Sequence, residues 1–245
     1  MALPAHSPSC ETRKKEVSKE KRNDFDGFLK LMPNFVLMNE NTERPLVTCD
    51  NLIIIDADFI DRVAFDLIVN FERIIGRPIP NADLAHWIDC LALDGGIREG
   101  DNQTQVAIVH SKEKKRLDYF TPGDFGAELH GKAFKDNLGE FVFSTLSEEN
   151  IISRADLLID TLQLALHATE VKRIIVVPDE EYYDDLRVII RKASERMSEQ
   201  QGEKRITLMA MQPMAGGNFF QEILGYSLMS ALGIRSDEIN PDKTT

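Results

Sequence analysis

The chain has 245 residues, 42% of them hydrophobic, a net charge of −12 and an isoelectric point near 4.9. That length suits one large α/β domain or two small ones, with enough apolar residues for a sizeable core. The acidic balance argues against a broad basic face gripping nucleic acid, though not against a local basic rim around an acidic site.

The three cysteines, Cys10, Cys49 and Cys90, lack CxxC spacing, which argues against a disulfide framework and a zinc site. No apolar run reaches the roughly 20 residues that a membrane helix needs. The basic N-terminus is followed by no apolar h-region, so the expectation is a cytoplasmic protein away from the membrane.

Residues 1–24 are polar and aperiodic, with a basic cluster of Arg13, Lys14, Lys15, Lys19, Lys21 and Arg22, and read as a disordered or loosely attached tail. Residues 25–235 read as a single domain and 236–245 as a frayed end. Strand 52–55 (LIII) comes first, then a helix over 59–75. A second helix, 82–93, follows RPIPNAD, with Asn81 as its N-cap and DGG at 94–96 as its stop. Strand 106–110 leads into a charged stretch and a predicted helix at 124–135. Strand 140–144, helix 151–168, strand 173–177, helix 180–199 and strand 206–210 follow. Gly216 and Gly217 read as a turn, or more weakly as a phosphate cradle, before a helix at 218–232 capped by Asn218. Near-continuous apolar strands separated by helices predict a mainly parallel five-stranded sheet covered on both faces. With right-handed crossovers this is an α/β fold, a doubly wound three-layer α/β/α sandwich.

Two of these strands run into acid: NLIIIDADFID (51–61) and KRIIVVPDEEYYD (172–184). In doubly wound sheets ligands bind outside the carboxyl ends of the strands, where the strand order reverses. Asp56 and Asp58 sit at one such end, and Asp179, Glu180 and Glu181 at another. Asp156 and Asp160 are four apart on one face of the helix between them. Asp160 lies among leucines, where a carboxylate is costly unless it meets a cation or donors. Converging carboxylates repel, and Mg²⁺ or Mn²⁺ would resolve the repulsion. The chemistry expected is metal-assisted hydrolysis of a phosphodiester or phosphate. Each acid also has a plainer role, as a helix cap, a first-turn residue favoured by the helix dipole, or a solvated charge.

The pattern resembles the PIN-like nuclease superfamily, especially its NYN branch. IIIDAD is similar to the opening strand of those domains, SRADLLIDTLQLAL to their acidic helix, and VVPDEEYY to their Gly-Asp-x-Asp-Phe turn, with Tyr182 in the aromatic place. The likeness spans about residues 50–212. It implies Asp56, Asp160, Asp179 and Glu181 as metal ligands, with Asp56, Asp160 and Asp179 catalytic and Asp58, Asp156 and Glu181 supporting. It also implies Mg²⁺ or Mn²⁺ and endonuclease activity, usually on RNA. The chain departs from the pattern at Pro178, at the longer Glu181, and in having Arg154 rather than a lysine before Asp156.

Lys112, Lys114, Lys115 and Arg116, with Tyr119 and Phe120, offer a basic, aromatic stretch suited to a phosphate backbone; Arg154 joins this set. A solvated loop is the plainer reading of it. Two other functions stay open. One is a haloacid-dehalogenase-like phosphatase with Asp56 as nucleophile and Asp58 as acid. The other is a non-catalytic interaction or regulatory protein, with a homo-oligomer or protein partner open. His86, His110 and His167 form no recognisable catalytic or metal spacing.

Overall fold

The computed structural model describes residues 49–149, 151–199, 204–214, 217 and 219–239. The predicted tail 1–24, residues 25–48, Gly216 and Asn218 therefore lie outside the described residues. What is described belongs to one compact unit, Val47–Thr245.

The elements in chain order are β1 (Asn51–Asp56), α1 (Ala57–Ile75), β2 (Ala82–Asp83), α2 (Leu84–Asp94), β3 (Asn102–His110), β4 (Phe120–Thr121), β5 (Ala133–Asp136), β6 (Gly139–Ser147), α3 (Arg154–His167), β7 (Arg173–Val177), α4 (Tyr183–Glu199), β8 (Arg205–Ala210), β9 (Phe220–Ile223), α5 (Leu224–Ala231) and α6 (Ser236–Ile239). The central sheet has seven strands in the order β5-β6-β3-β1-β7-β8-β9, not the five expected. All neighbours are parallel except β5, which runs antiparallel to β6. The two extra strands lie at the edges, where half-exposed positions replace a continuous apolar run.

The chain steps outward from β1 to β3 and β6, then returns to the other side of β1 and continues through β7, β8 and β9. The strand order thus reverses beside β1. Every residue of β1 is buried, as expected of a central parallel strand covered on both faces. Side chains alternate across it. Ile53 and Ile55 share a buried cluster with Phe59, Ile60 and Val63 of α1, Leu84, Trp87 and Ile88 of α2, and Leu224 and Leu228 of α5. Helix α3 contacts β1, β3, β7 and α4. Among the described residues no helix is long and apolar enough to cross a membrane.

Several local expectations change. Asp83, not Asn81, caps α2, accepting from the His86 amide at 3.1 Å, while Asn81 donates to the Asp118 carbonyl. The predicted helix 124–135 is one π-type turn, Phe125–Leu129, capped by Asp124. Gly131, at φ 71°, breaks it, and Ala133–Asp136 then pairs with β6. The predicted helix 218–232 begins as β9, so Gly217 is separated from the start of α5 by a strand. The tail expected from 236 begins instead as α6, held by Arg77 pairing with Glu238 at 2.8 Å and donating to the Gly233 carbonyl.

Burial first, and then the neighbouring Asp136 at the end of β5, push the carboxyl of Asp89 on α2 up to about 7. A folded value above the unfolded one means that native stability is fully present below about pH 4 and falls as pH rises towards 7. Asp89→Asn should therefore raise the thermal midpoint more at about pH 8 than at about pH 5. An equal shift at both pH values, read by differential scanning fluorimetry, would contradict this origin.

Candidate functional site

The site lies at the carboxyl edge of the sheet, where the strand order reverses and doubly wound sheets form their ligand crevice. Asp56 is the last residue of β1 and also the N-cap of α1. Its Oδ1 accepts the Phe59 amide at 3.0 Å, and the residue is 0% exposed. One β1 residue thus ends a strand, starts a helix and lines the crevice. Asp58 lies in the first turn of α1 and accepts both the Ser111 amide at 2.9 Å and its hydroxyl at 2.7 Å. Ser111 follows the last residue of β3, the strand beside β1. Asp179, just past β7, is buried and accepts from Arg62 at 2.9 Å.

Arg154, the first residue of α3, joins these groups. Its Nε lies 3.0 Å from Asp56 Oδ2, its Nη1 3.2 Å from Asp58 Oδ1 and its Nη2 3.9 Å from Asp179 Oδ2. Nη2 also donates to the Tyr182 hydroxyl at 3.3 Å. Asp56 Oδ2 and Arg154 Nε are close in space, yet both are buried without a hydrogen bond. Their contact is one of charge, without directional alignment.

These surroundings set the ionisation. Burial pushes Asp56 up to about 6, against the pull of Arg154 and the Phe59 amide, and Asp58 and Asp179 push it further the same way. Burial also raises Asp58, but the Ser111 hydrogen bonds, Arg154 and Lys114 outweigh it and hold the carboxyl below its ordinary range. Burial works against the charge on Arg154, and Asp56, Tyr182 and Asp58 reverse that.

The other expected site residues fall elsewhere. Asp156 is exposed and works in a capping box: Ser153 accepts the Asp156 amide, and Asp156 accepts from the Ser153 amide and hydroxyl. Asp160 is half-buried further along α3, while the ion pairs to the three crevice carboxylates come from Arg154 at the helix start. Glu181 is exposed, and its amide, not its carboxylate, meets Asp179. Among the described residues no group of three or more His, Cys, Asp or Glu is arranged to hold a metal ion. The carboxylates suit a hard cation in kind, but the guanidinium lies among them, so the arrangement does not fit one as it stands.

Of the basic stretch, Lys112, Lys115 and Arg116 are exposed. Arg116 lies 3.5 Å from Asp118. Lys114 is instead tied to buried Asp61 at 2.6 Å. Asp61 also accepts the amides of Asp118 at 3.1 Å and Tyr119 at 3.0 Å, which clamps the loop after β3 against α1. Arg154, expected among the nucleic-acid contacts, is the half-buried hub described above.

Arg62, Ser111 and Asp61 were not singled out from sequence. Arg62 is four residues after Asp58, on the same helix face. Asp61 sits between Ile60 and Val63 on the buried side of α1, the same signal that drew attention to Asp160. Ser111 had only its place at a strand end.

Fold and crevice define an α/β protein with a mostly parallel sheet and a charged site at the reversal of strand order. Residues 47–239, most of the chain, match a family of unknown function (DUF6621), and the chain belongs to that family. No curated protein and no solved structure matches it significantly.

Asp61→Ala would leave Lys114 and two amides without their partner. We expect a loss of roughly 3–5 kcal/mol in urea unfolding; a loss under about 1 kcal/mol, the scale of an exposed ion pair, would show that the clamp does not hold the loop.

Proposed function

We propose that the chain is a PIN-like protein, a doubly wound three-layer α/β/α sandwich, that binds a phosphate-bearing strand at the crevice mouth without cleaving it, with RNA as the expected partner. The observation that carries this reading is the internal neutralisation of the acidic floor. Asp56, Asp58 and Asp179 face Arg154, and Asp179 also faces Arg62. Repulsion among the carboxylates, the reason to expect a metal, is met by side chains of the chain itself. Cations also stand in the segments that flank these acids. Arg62 is 57% exposed at the side chain, and Lys112, Lys115 and Arg116 follow Ser111, which Asp58 holds against α1. Such cations position a phosphate backbone without reading its bases.

A second reading is divalent-cation-dependent phosphodiester hydrolysis. It is favoured by the convergence of three carboxylates on Arg154 and by a buried Asp56 oxygen that has no hydrogen bond. It requires Arg154 to leave the carboxylates; Asp56, Asp58 and Asp179 are the residues that would then hold Mg²⁺ or Mn²⁺, whose chemistry is water activation and phosphoryl-charge stabilisation.

Fluorescence anisotropy of labelled single-stranded RNA, followed by gel analysis of the same samples, tests both. The expected result is binding that survives EDTA, leaves the RNA intact, weakens with salt, and falls at least about tenfold in Lys112→Glu/Lys115→Glu, as loss and reversal of phosphate contacts dictates. Mn²⁺-dependent cleavage lost in Asp56→Asn would establish the hydrolase instead. Absence of binding at low salt would remove RNA and leave a protein partner.

A further inference from the structure

Arg154 reaches four groups on two other stretches of chain: Asp56 and Asp58 where β1 passes into α1, and Asp179 and Tyr182 after β7. Its position is unusual for a cation. As the first residue of α3 it sits at the positive end of the helix dipole, where acids are favoured and bases disfavoured. Something must outweigh that cost, and the three carboxylates do. A second observation concerns the quality of the contact. Guanidinium and carboxylate ordinarily pair through aligned, often bidentate hydrogen bonds. Here Arg154 Nε and Asp56 Oδ2 lie 3.0 Å apart, both buried, and neither forms a hydrogen bond. The guanidinium occupies the centre of the carboxylates as a charge, much as an ion would, and not as a fork fitted to one partner.

We propose that Arg154 is a built-in cation, standing in the crevice where Asp56, Asp58 and Asp179 would otherwise require a divalent ion to be held together. The inference rests on the reading of the crevice as a non-cleaving site and deepens it. In the wild-type chain the guanidinium satisfies the carboxylates, so an added divalent ion finds no vacant set of ligands. Removing the guanidinium leaves buried Asp56 and half-buried Asp58 without it and Asp179 with Arg62 alone, which destabilises the native state. The same removal frees their oxygens, which suit a hard divalent cation. Arg154→Ala should therefore become a metal-binding protein where wild type is not one. Arg154→Lys keeps a positive charge, although a shorter and more compact one. It should fold without metal and show less response to it.

The test is thermal unfolding of the full chain with and without MnCl₂, with a potassium salt at matched ionic strength as control. It is run on wild type, Arg154→Ala, Arg154→Lys and Arg154→Ala/Asp56→Asn. Loss of the free Mn²⁺ signal in electron paramagnetic resonance gives a second readout that does not depend on stability. We expect no Mn²⁺-specific shift and no signal loss in wild type. Arg154→Ala should show a lowered midpoint that recovers selectively with Mn²⁺, together with signal loss, and both responses should vanish in the double variant. Three results would overturn the proposal. The first is Mn²⁺ binding by wild type, and the second an Arg154→Ala protein as indifferent to Mn²⁺ as wild type. The third is an Arg154→Ala protein that stays unfolded in Mn²⁺ while Arg154→Lys folds normally, because the cation would then not be replaceable by an ion. None of these readouts uses RNA, so failure of RNA binding and failure of the built-in cation are distinguishable.

Discussion

Carboxylates buried at the closed end of a parallel sheet need positive charge beside them, and much of this molecule is arranged around that need. All the parallel strands finish at one edge, so the polar residues that follow them gather there. Asp56, on the central strand, has no exposure to water. In such surroundings charge interactions are screened far less than at the surface, and unpaired charge is correspondingly costly. Arg154 relieves that cost for Asp56 and Asp58 at close range and for Asp179 at longer range.

Topology delivers the cation. The connection from β6 to β7 must cross β3 and β1, because β7 lies on the far side of β1. Helix α3 makes that crossing, and its first residue arrives over the end of β1. The capping box of Ser153 and Asp156 secures the first turn and so the origin of the Arg154 side chain. Asp156 therefore contributes to the crevice through the arginine two residues before it. The cap satisfies helix amides that would otherwise lack partners, which lets a disfavoured arginine open the helix.

The other wall of the crevice is held by α1. Asp58 and Asp61 lie on successive parts of this helix and take hold of the same loop, through Ser111 on one side and Lys114, Asp118 and Tyr119 on the other. That grip uses up one lysine of the basic stretch and leaves Lys112, Lys115 and Arg116 exposed near the mouth. A sequence run that reads as uniformly basic thus divides, by packing, into one structural lysine and three exposed cations.

The strands β1, β3, β6, β7 and β8 were legible because buried parallel strands read as continuous apolar runs. Asp56 and Asp179 were legible because acid interrupts two of those runs at their ends. The edge strands β5 and β9 carry no such run, and Phe125 and Leu129 sit at helical spacing in a segment that turns once and then pairs with β6. Asp156 and Asp160 share a helix face at four-residue spacing whether they cap the helix or hold an ion. The sequence by itself determined the strand ends, the amphipathic helices and the presence of acid at the sheet edge, because these follow from local periodicity. Only the tertiary structure decided that a guanidinium enters the acids, that Asp61 holds the loop, and that β1 stands at the reversal of strand order. Those features join residues well separated in the chain, such as Asp58 with Ser111, 53 positions on, and Asp56 with Arg154, 98 positions on (154 − 56), and no local pattern encodes which distant charge meets which.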